Sequence, residues 1–144
     1  MPTANSYKEL EKLLRQKLTK SLQIEVAQCV REIEKEKIKE EVYDVYSPTI
    51  YERQMNHGGL IDDENIITHP VVGNILTVES RRLDGITNVG QVVETGQGYN
   101  FDFAYSGRPR PFVEKTAEEL RNTNAHFTAL HRGLSRQGLD VEVK

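Results

Sequence analysis

The chain has 144 residues, 37% hydrophobic and 28% charged, with a net charge of −3 and one cysteine. That length suits a single domain with a real core; the acidic balance lacks the basic footprint of a nucleic-acid binder. A lone Cys29 excludes an intramolecular disulfide framework and a cysteine-cluster zinc site, and no apolar run nears the ~18 residues of a membrane span. The opening Met1-Pro2-Thr3-Ala4-Asn5 lacks the charged-then-apolar pattern of a secretory leader, so a soluble, intracellular protein is expected.

From residue 5 to about 41 nothing breaks a helix. Asn5 or Ser6 can cap it, and Glu9, three residues after Ser6, completes a capping-box spacing. Leu10, Leu13, Leu14 and Leu18 share one face; Leu22, Val26, Cys29, Val30 and Ile33 lie about 100° further round. The stripe therefore wraps or the helix bends, and Thr19 and Ser21, weak helix formers, place a kink near residue 20. The charged end, R-E-I-E-K-E-K-I-K-E-E, alternates in sign at pairing distances and reads as a solvated face. Cys29, on the apolar side, reads as a small buried thiol.

Pro48 ends the helical options and pushes Ser47 towards an extended conformation, while Gly58-Gly59 permits a reversal. Tyr43, Tyr46 and Tyr51 read as anchors of this loop on the helix, with hydroxyls that need partners if buried. Residues 66–82 predict a β-hairpin: I-I-T-H-P-V-V and I-L-T-V-E-S-R flank Gly73-Asn74, a two-residue turn signal. Pro70 cannot donate to a ladder, so the first strand is an edge or bulges there. The following R-R-L-D-G-I-T-N-V-G is a connection, and Gln91–Thr95 fits a helical turn or a strand.

The loop 97–110 carries four aromatics, Tyr99, Phe101, Phe103 and Tyr105. Connections normally run over the surface and are polar, so these rings either fold back onto the core or wait for a partner; a partner is the expected reading. Arg108 and Arg110 beside them are solvated in one reading and meet carboxylates of a neighbouring subunit in the other, for which the planar guanidinium is suited. Pro111 fits the first turn of a helix, and Phe112, Val113, Thr116, Ala117 and Leu120 follow at helical spacing. Asn124 can cap a second helix with a buried stripe of Phe127, Leu130 and Leu134, ended by Gly138. These C-terminal helices span 111–137, and Asp140–Lys144 is extended.

Chemistry-bearing patterns are sparse. Asp62, Asp63 and Glu64 near His57 and His69 match no ligand spacing and read as a solvated turn. His126 and His131, five apart, fall on different helix faces. Gly96-Gln97-Gly98 lacks the third glycine and the strand–helix setting of a dinucleotide loop. Glu94 is a lone carboxylate without a visible acid–base partner. Neither an enzyme nor a cofactor or metal is expected; an activity lost on Glu94→Gln would reverse that reading.

Several motifs recur in order: V-Y-x-x-Y-x-P-x-x-Y-E-R with Tyr43, Tyr46, Pro48, Tyr51, Glu52 and Arg53; G-G-L-x-D-x-x-N-I with Gly58, Gly59, Leu60, Asp62, Asn65 and Ile66; V-V-E-T-G with Glu94 and Gly96; and R-P-F-V with Pro111 and Phe112. The set spans residues 5–137. It resembles the small tail-component family of tailed phages, the neck or tail-completion proteins of the head–tail junction, and especially the versions in prophages of Gram-positive bacteria. One departure is that the Thr-Gly-x-Leu often following the loop proline is replaced by a longer insertion ending Gly-Gly-Leu.

The resemblance implies an α+β fold of one domain: a long N-terminal helix, a small antiparallel sheet built on a β-hairpin, and C-terminal helices. It also implies a structural virion protein that forms a ring, expected to be a hexamer, around the channel through which DNA leaves the capsid. Its partners would be copies of itself, the phage connector or stopper, and tail-tube or tail-terminator proteins, with DNA only passing through and no membrane. Such a protein is made in the bacterial cytoplasm and ends in the virion. Tyr99, Phe101, Phe103, Tyr105, Arg108 and Arg110 are the interface candidates, being residue types that dominate interface energetics. The competing reading is a phage- or host-encoded regulator that binds protein or nucleic acid through its long helix.

Overall fold

The computed structural model describes residues 5–46, 58–99 and 102–140. The expectations placed on Pro48, Tyr51, Glu52, Arg53, His57 and Phe101 lie outside the described residues. The architecture is α+β: among the described residues it has a long N-terminal helix, two small antiparallel sheets of two strands each, and C-terminal helices.

Ser6 caps α1 (Tyr7–Ser21): its Oγ accepts from the Glu9 N–H at 3.2 Å, and the Glu9 carboxylate reaches back to the Asn5 N–H at 2.7 Å. The helix runs on for 37 residues through a π-helical turn at Leu22–Val26, α2 (Ala27–Ile38), and a second π-helical turn at Lys39–Tyr43. The kink expected near residue 20 is therefore a π turn, which closes i→i+5 and accommodates one extra residue. One residue is about 100° of helix phase, the same offset that separates the two halves of the apolar stripe. With that correction α1, the π turn and α2 all pack on α5 (Ala125–Arg136).

The charged end of the helix is not uniformly solvated. Glu34 is only 4% exposed, because it sits four residues from Val30 on one side and Ile38 on the other, with Val42 a further four along. Helical residues four apart share a face, so Glu34 turns inward with its apolar neighbours. Cys29 is half-buried, and burial raises its thiol pKa.

The hairpin forms as expected, from β1 (Ile66–Thr68) and β2 (Val78–Ser80), with Ile66 opposite Ser80 and Thr68 opposite Val78. Its turn, Gly73-Asn74, has both residues at positive φ, 58° and 61°, the requirement of a type I′ turn. Val72 bridges Ile75, so three residues lie between Thr68 and Val72 but two between Ile75 and Val78. The extra residue falls around Pro70, which bulges the strand where a ladder donor is missing.

The connection after β2 hides a second ribbon, β3 (Leu83–Asp84) against β4 (Thr87–Asn88), turned by Gly85-Ile86. Gly85 at φ 62° occupies the first turn position, where type II′ turns place glycine. Gln91–Thr95 belongs to α3 (Val89–Thr95), capped by the Asn88 side chain and ended by Gly96 in the left-handed conformation.

α4 (Phe112–Thr123) packs on α2, and α5 follows with only Asn124 between. Asn124 joins them through its backbone, at φ 54°, not through a side-chain cap. The buried face of α5 also differs from expectation. Phe127 is 49% exposed and Leu130 and Leu134 are half-buried; Ala129 and Gly133 carry the contact. Small residues let α5 approach so closely that a Cβ on Gly133 would stand 2.7 Å from Ser21 Cβ.

The main core gathers Ile38, Val42, Leu60, Ile66, Val93 and Phe112, with Tyr43, Ile61, Val78 and Val89 against it. Phe112 and Ile38 are completely buried, at about 1.5–3 kcal/mol for a side chain of that size.

Candidate functional site

The aromatic loop is closed at its base by two backbone hydrogen bonds, Gly107 N–H to Gly96 O at 2.7 Å and Arg110 N–H to Val93 O at 3.0 Å. Gly96 is required twice over at this clip. It sits at φ 74°, and a Cβ there would lie 2.4–2.6 Å from the backbone of Arg108. Glu94, a carboxylate without a visible acid–base partner in the sequence, accepts from the Val113 N–H at 2.8 Å and the Glu114 N–H at 3.1 Å. It thus caps α4 from another helix, satisfying donors that Pro111 at the N-cap position cannot.

The other motif residues converge on the same node. Leu60 is buried beside Phe112 and Val93, and Gly59 is buried with its carbonyl held by the Asn65 side-chain amide at 2.9 Å. Asp62 accepts from the Gly58 N–H at 2.7 Å and the Glu64 N–H at 2.9 Å, which makes it a turn builder. Asp63 meets Arg31 at 3.2 Å, and Arg31 also donates to the carbonyls of Ile66 and Asp63. The acidic cluster therefore has structural duties, and among the described residues no group of His, Cys, Asp and Glu could hold a metal. The Tyr43 hydroxyl accepts from the Ile61 N–H at 3.3 Å, anchoring the segment as predicted.

Within the loop, Tyr99 and Phe103 meet edge-on with centroids 4.7 Å apart, and Tyr46 joins them from the end of the long helix, 5.3 Å from Phe103 and 5.8 Å from Tyr105. Such spacings are those of favourable aromatic pairs. Arg110 lies inside this group. Its guanidinium carbon is 4.9 Å from the Tyr105 centroid, 5.8 Å from Phe103 and 6.0 Å from Tyr46, and Nη2 donates to the Tyr99 hydroxyl at 2.9 Å. Arg110 is 6% exposed, and its Nε is buried with no partner among the described residues.

This corrects two expectations. Arg110 is not available to a neighbouring carboxylate, because its own chain encloses the guanidinium in a cation–π cage. The rings do not stand free either: Tyr99, Phe103 and Tyr105 are half-buried around that arginine, and the Tyr105 hydroxyl donates to Val45 O at 3.1 Å. Arg108 is exposed and has no side-chain partner among the described residues. The described loop is a pre-formed platform with its outer edges in solvent.

Compared with known proteins, residues 6–136 match the YomN family. The chain belongs to the YomN family. A relative in Bacillus subtilis (strain 168), the SPbeta prophage-derived uncharacterized protein YomN, is 30% identical over 145 aligned positions, covering 96% of this chain and 99% of the relative. No solved structure matches. The Gram-positive prophage character expected from the motifs thus holds for the YomN family. In this YomN-family chain, Gly59, Leu60, Glu94, Gly96 and Phe112 build the node from which the loop springs, while Tyr99, Phe103, Tyr105 and Arg108 form the part that meets solvent.

Proposed function

We propose that this YomN-family protein is a non-catalytic structural component of a phage or prophage particle. It forms a ring with copies of itself and docks at the head–tail junction or tail top. The observation that carries this reading is the uncovered start of the long helix. Residues 5–12 are exposed, and Tyr7 at 93% with Leu10 and Leu14 at 44% leave an apolar stripe bare. Removing such a stripe from water is favourable, and a neighbouring subunit supplies the cover. The loop platform with Arg108 is a second and different surface, and two unlike surfaces on one subunit are what a heterologous ring requires. The prophage origin of the relative supports the setting. The connector or stopper and the tail-tube or terminator proteins are the proposed partners.

Deleting the gene from an inducible lysogen tests this. The expected result is unjoined heads and tails on induction, with the protein found in purified wild-type particles. Normal, infectious particles from the deletion strain overturn it.

A further inference from the structure

A cleft of about 480 Å³ opens between α2, β2, α3 and α4, within the ~300–1,000 Å³ range of sites that take small organic groups. Its walls are largely apolar, with Val30, Val113 and Leu120 among them, and its charged groups, Glu34, Glu79 and Glu94, are all carboxylates. Glu34 is 4% exposed, and its carboxyl makes no hydrogen bond or ion pair with any described residue. The Ser80 Oγ is buried without a hydrogen-bond partner among the described residues. Each oxygen of Glu94 takes one N–H from α4 and keeps acceptor capacity, since an ionised carboxylate offers about four lone-pair sites.

Two of the donors nearby are already engaged. The Asn88 amide donates to Ser80 O at 3.3 Å, and the Thr116 hydroxyl to Phe112 O at 2.7 Å. Glu79, also at the rim, meets His69 at 2.7 Å and Arg81 at 3.2 Å. Arg31, the cation that acts on Glu34, is held by Asp63 and the Ile66 carbonyl, and Lys35, next to Glu34 in sequence, is paired with the same Asp63. The cleft is thus rich in acceptors and short of a cation. Among the described residues no group of three His, Cys, Asp or Glu could hold a metal ion, and the apolar walls suit an organic cation.

We propose that this cleft receives an arginine side chain from a protein partner, its guanidinium between Glu34 and Glu94 with an N–H to Ser80 Oγ and its aliphatic stem along Val30, Val113 and Leu120. A guanidinium carries five N–H donors in a planar fork and is weakly hydrated, which suits several separated acceptors in an apolar cleft better than an ammonium does. The partner being a protein rests on the assembly reading; the pocket's preference for the group does not. Burial raises the Glu34 pKa to about 7, with Glu94 adding and Arg31 opposing. Glu79 faces it from β2, and α4 lines the cleft with uncharged residues only. A bound cation requires Glu34 ionised, so binding weakens about tenfold from pH 8 to pH 6.

The test is an NMR titration of the full chain with N-acetyl-arginine amide, with the neutral citrulline and the lysine analogues as comparisons, and a parallel measurement of assembly. Saturable shifts at Gly90, Glu94, Val113 and Thr116 are expected with arginine, weaker with lysine and absent with citrulline. Glu34→Gln, which keeps the shape, is expected to weaken arginine binding at least tenfold and to flatten its pH dependence. Equal binding of citrulline, no saturation, or unchanged binding by Glu34→Gln overturns the proposal. Arginine binding by a chain that never assembles would support the site while sinking the assembly reading; assembly by a chain that does not bind arginine would do the reverse.

Discussion

Gly133 offers a sharp test of the helix packing. At an exposed helical site, glycine to alanine stabilises by about 1 kcal/mol. Here the added Cβ would lie 2.7 Å from Ser21 Cβ, from Ser21 Oγ and from Glu25 Oε2, about 1 Å inside the optimal carbon–carbon separation. Glu25 can yield, being the far end of a side chain paired with Arg136. Ser21 cannot yield cheaply. It is completely buried, its hydroxyl donates to Lys17 O at 2.9 Å, and it accepts from the Gln137 amide at 2.8 Å. Overpacking costs about 1–3 kcal/mol and each lost hydrogen bond about 1, so after the propensity gain Gly133→Ala should destabilise by about 1–3 kcal/mol. For a chain of this size that lowers Tm by roughly 3–9 °C. Circular-dichroism melts of wild type, Gly133→Ala, Ser21→Gly and the double variant would measure it. The double variant should recover about 1 kcal/mol relative to additivity, as residues in contact do. A rise in Tm for Gly133→Ala, or strict additivity, would refute the close crossing of α5 over the π turn.

Gly96→Ala should destabilise by more than about 2 kcal/mol, since it combines positive φ with a backbone clash, whereas Gly107→Asn, at φ 76° in open space, should be mild; urea midpoints and proteolysis of the loop read both. Glu94→Ala should cost about 1–2 kcal/mol by uncapping α4, seen as a lower Tm. The folded pKa of Glu34 stands near 7, above its usual 4.5, so its contribution favours the fold below about pH 4.5 and is lost as pH rises through 7. Glu34→Gln should therefore stabilise the protein at pH 8, by up to about 3 kcal/mol, and give little gain at pH 4; urea unfolding at both pH values checks the sign.

The elements with strong local signals were legible in the sequence. Ser6 and Glu9 marked the helix start, Gly73-Asn74 the hairpin, and Pro111 the start of α4. The second ribbon was missed although Asp84-Gly85 announces a turn, because two-residue strands carry too little pattern to register. In α5 the large residues Phe127, Leu130 and Leu134 drew attention from Ala129 and Gly133, whose smallness creates the contact. Arg110 was read as solvated or as paired with a neighbouring subunit's carboxylate because arginine is seldom buried without one; its cage of rings comes from segments far apart in the chain. Glu34 hid in a run of alternating charges, yet its four-residue spacing from Val30 and Ile38 could have exposed it.

The most direct measurement of the central claim is mass photometry of the purified chain, alone and mixed with the phage's connector and tail-tube proteins. The account predicts a ring-sized species, formed either alone or on one of those partners, and lost when Tyr7, Leu10 and Leu14 are replaced by polar residues in a chain that still melts cooperatively. A monomer that ignores every particle component would contradict it.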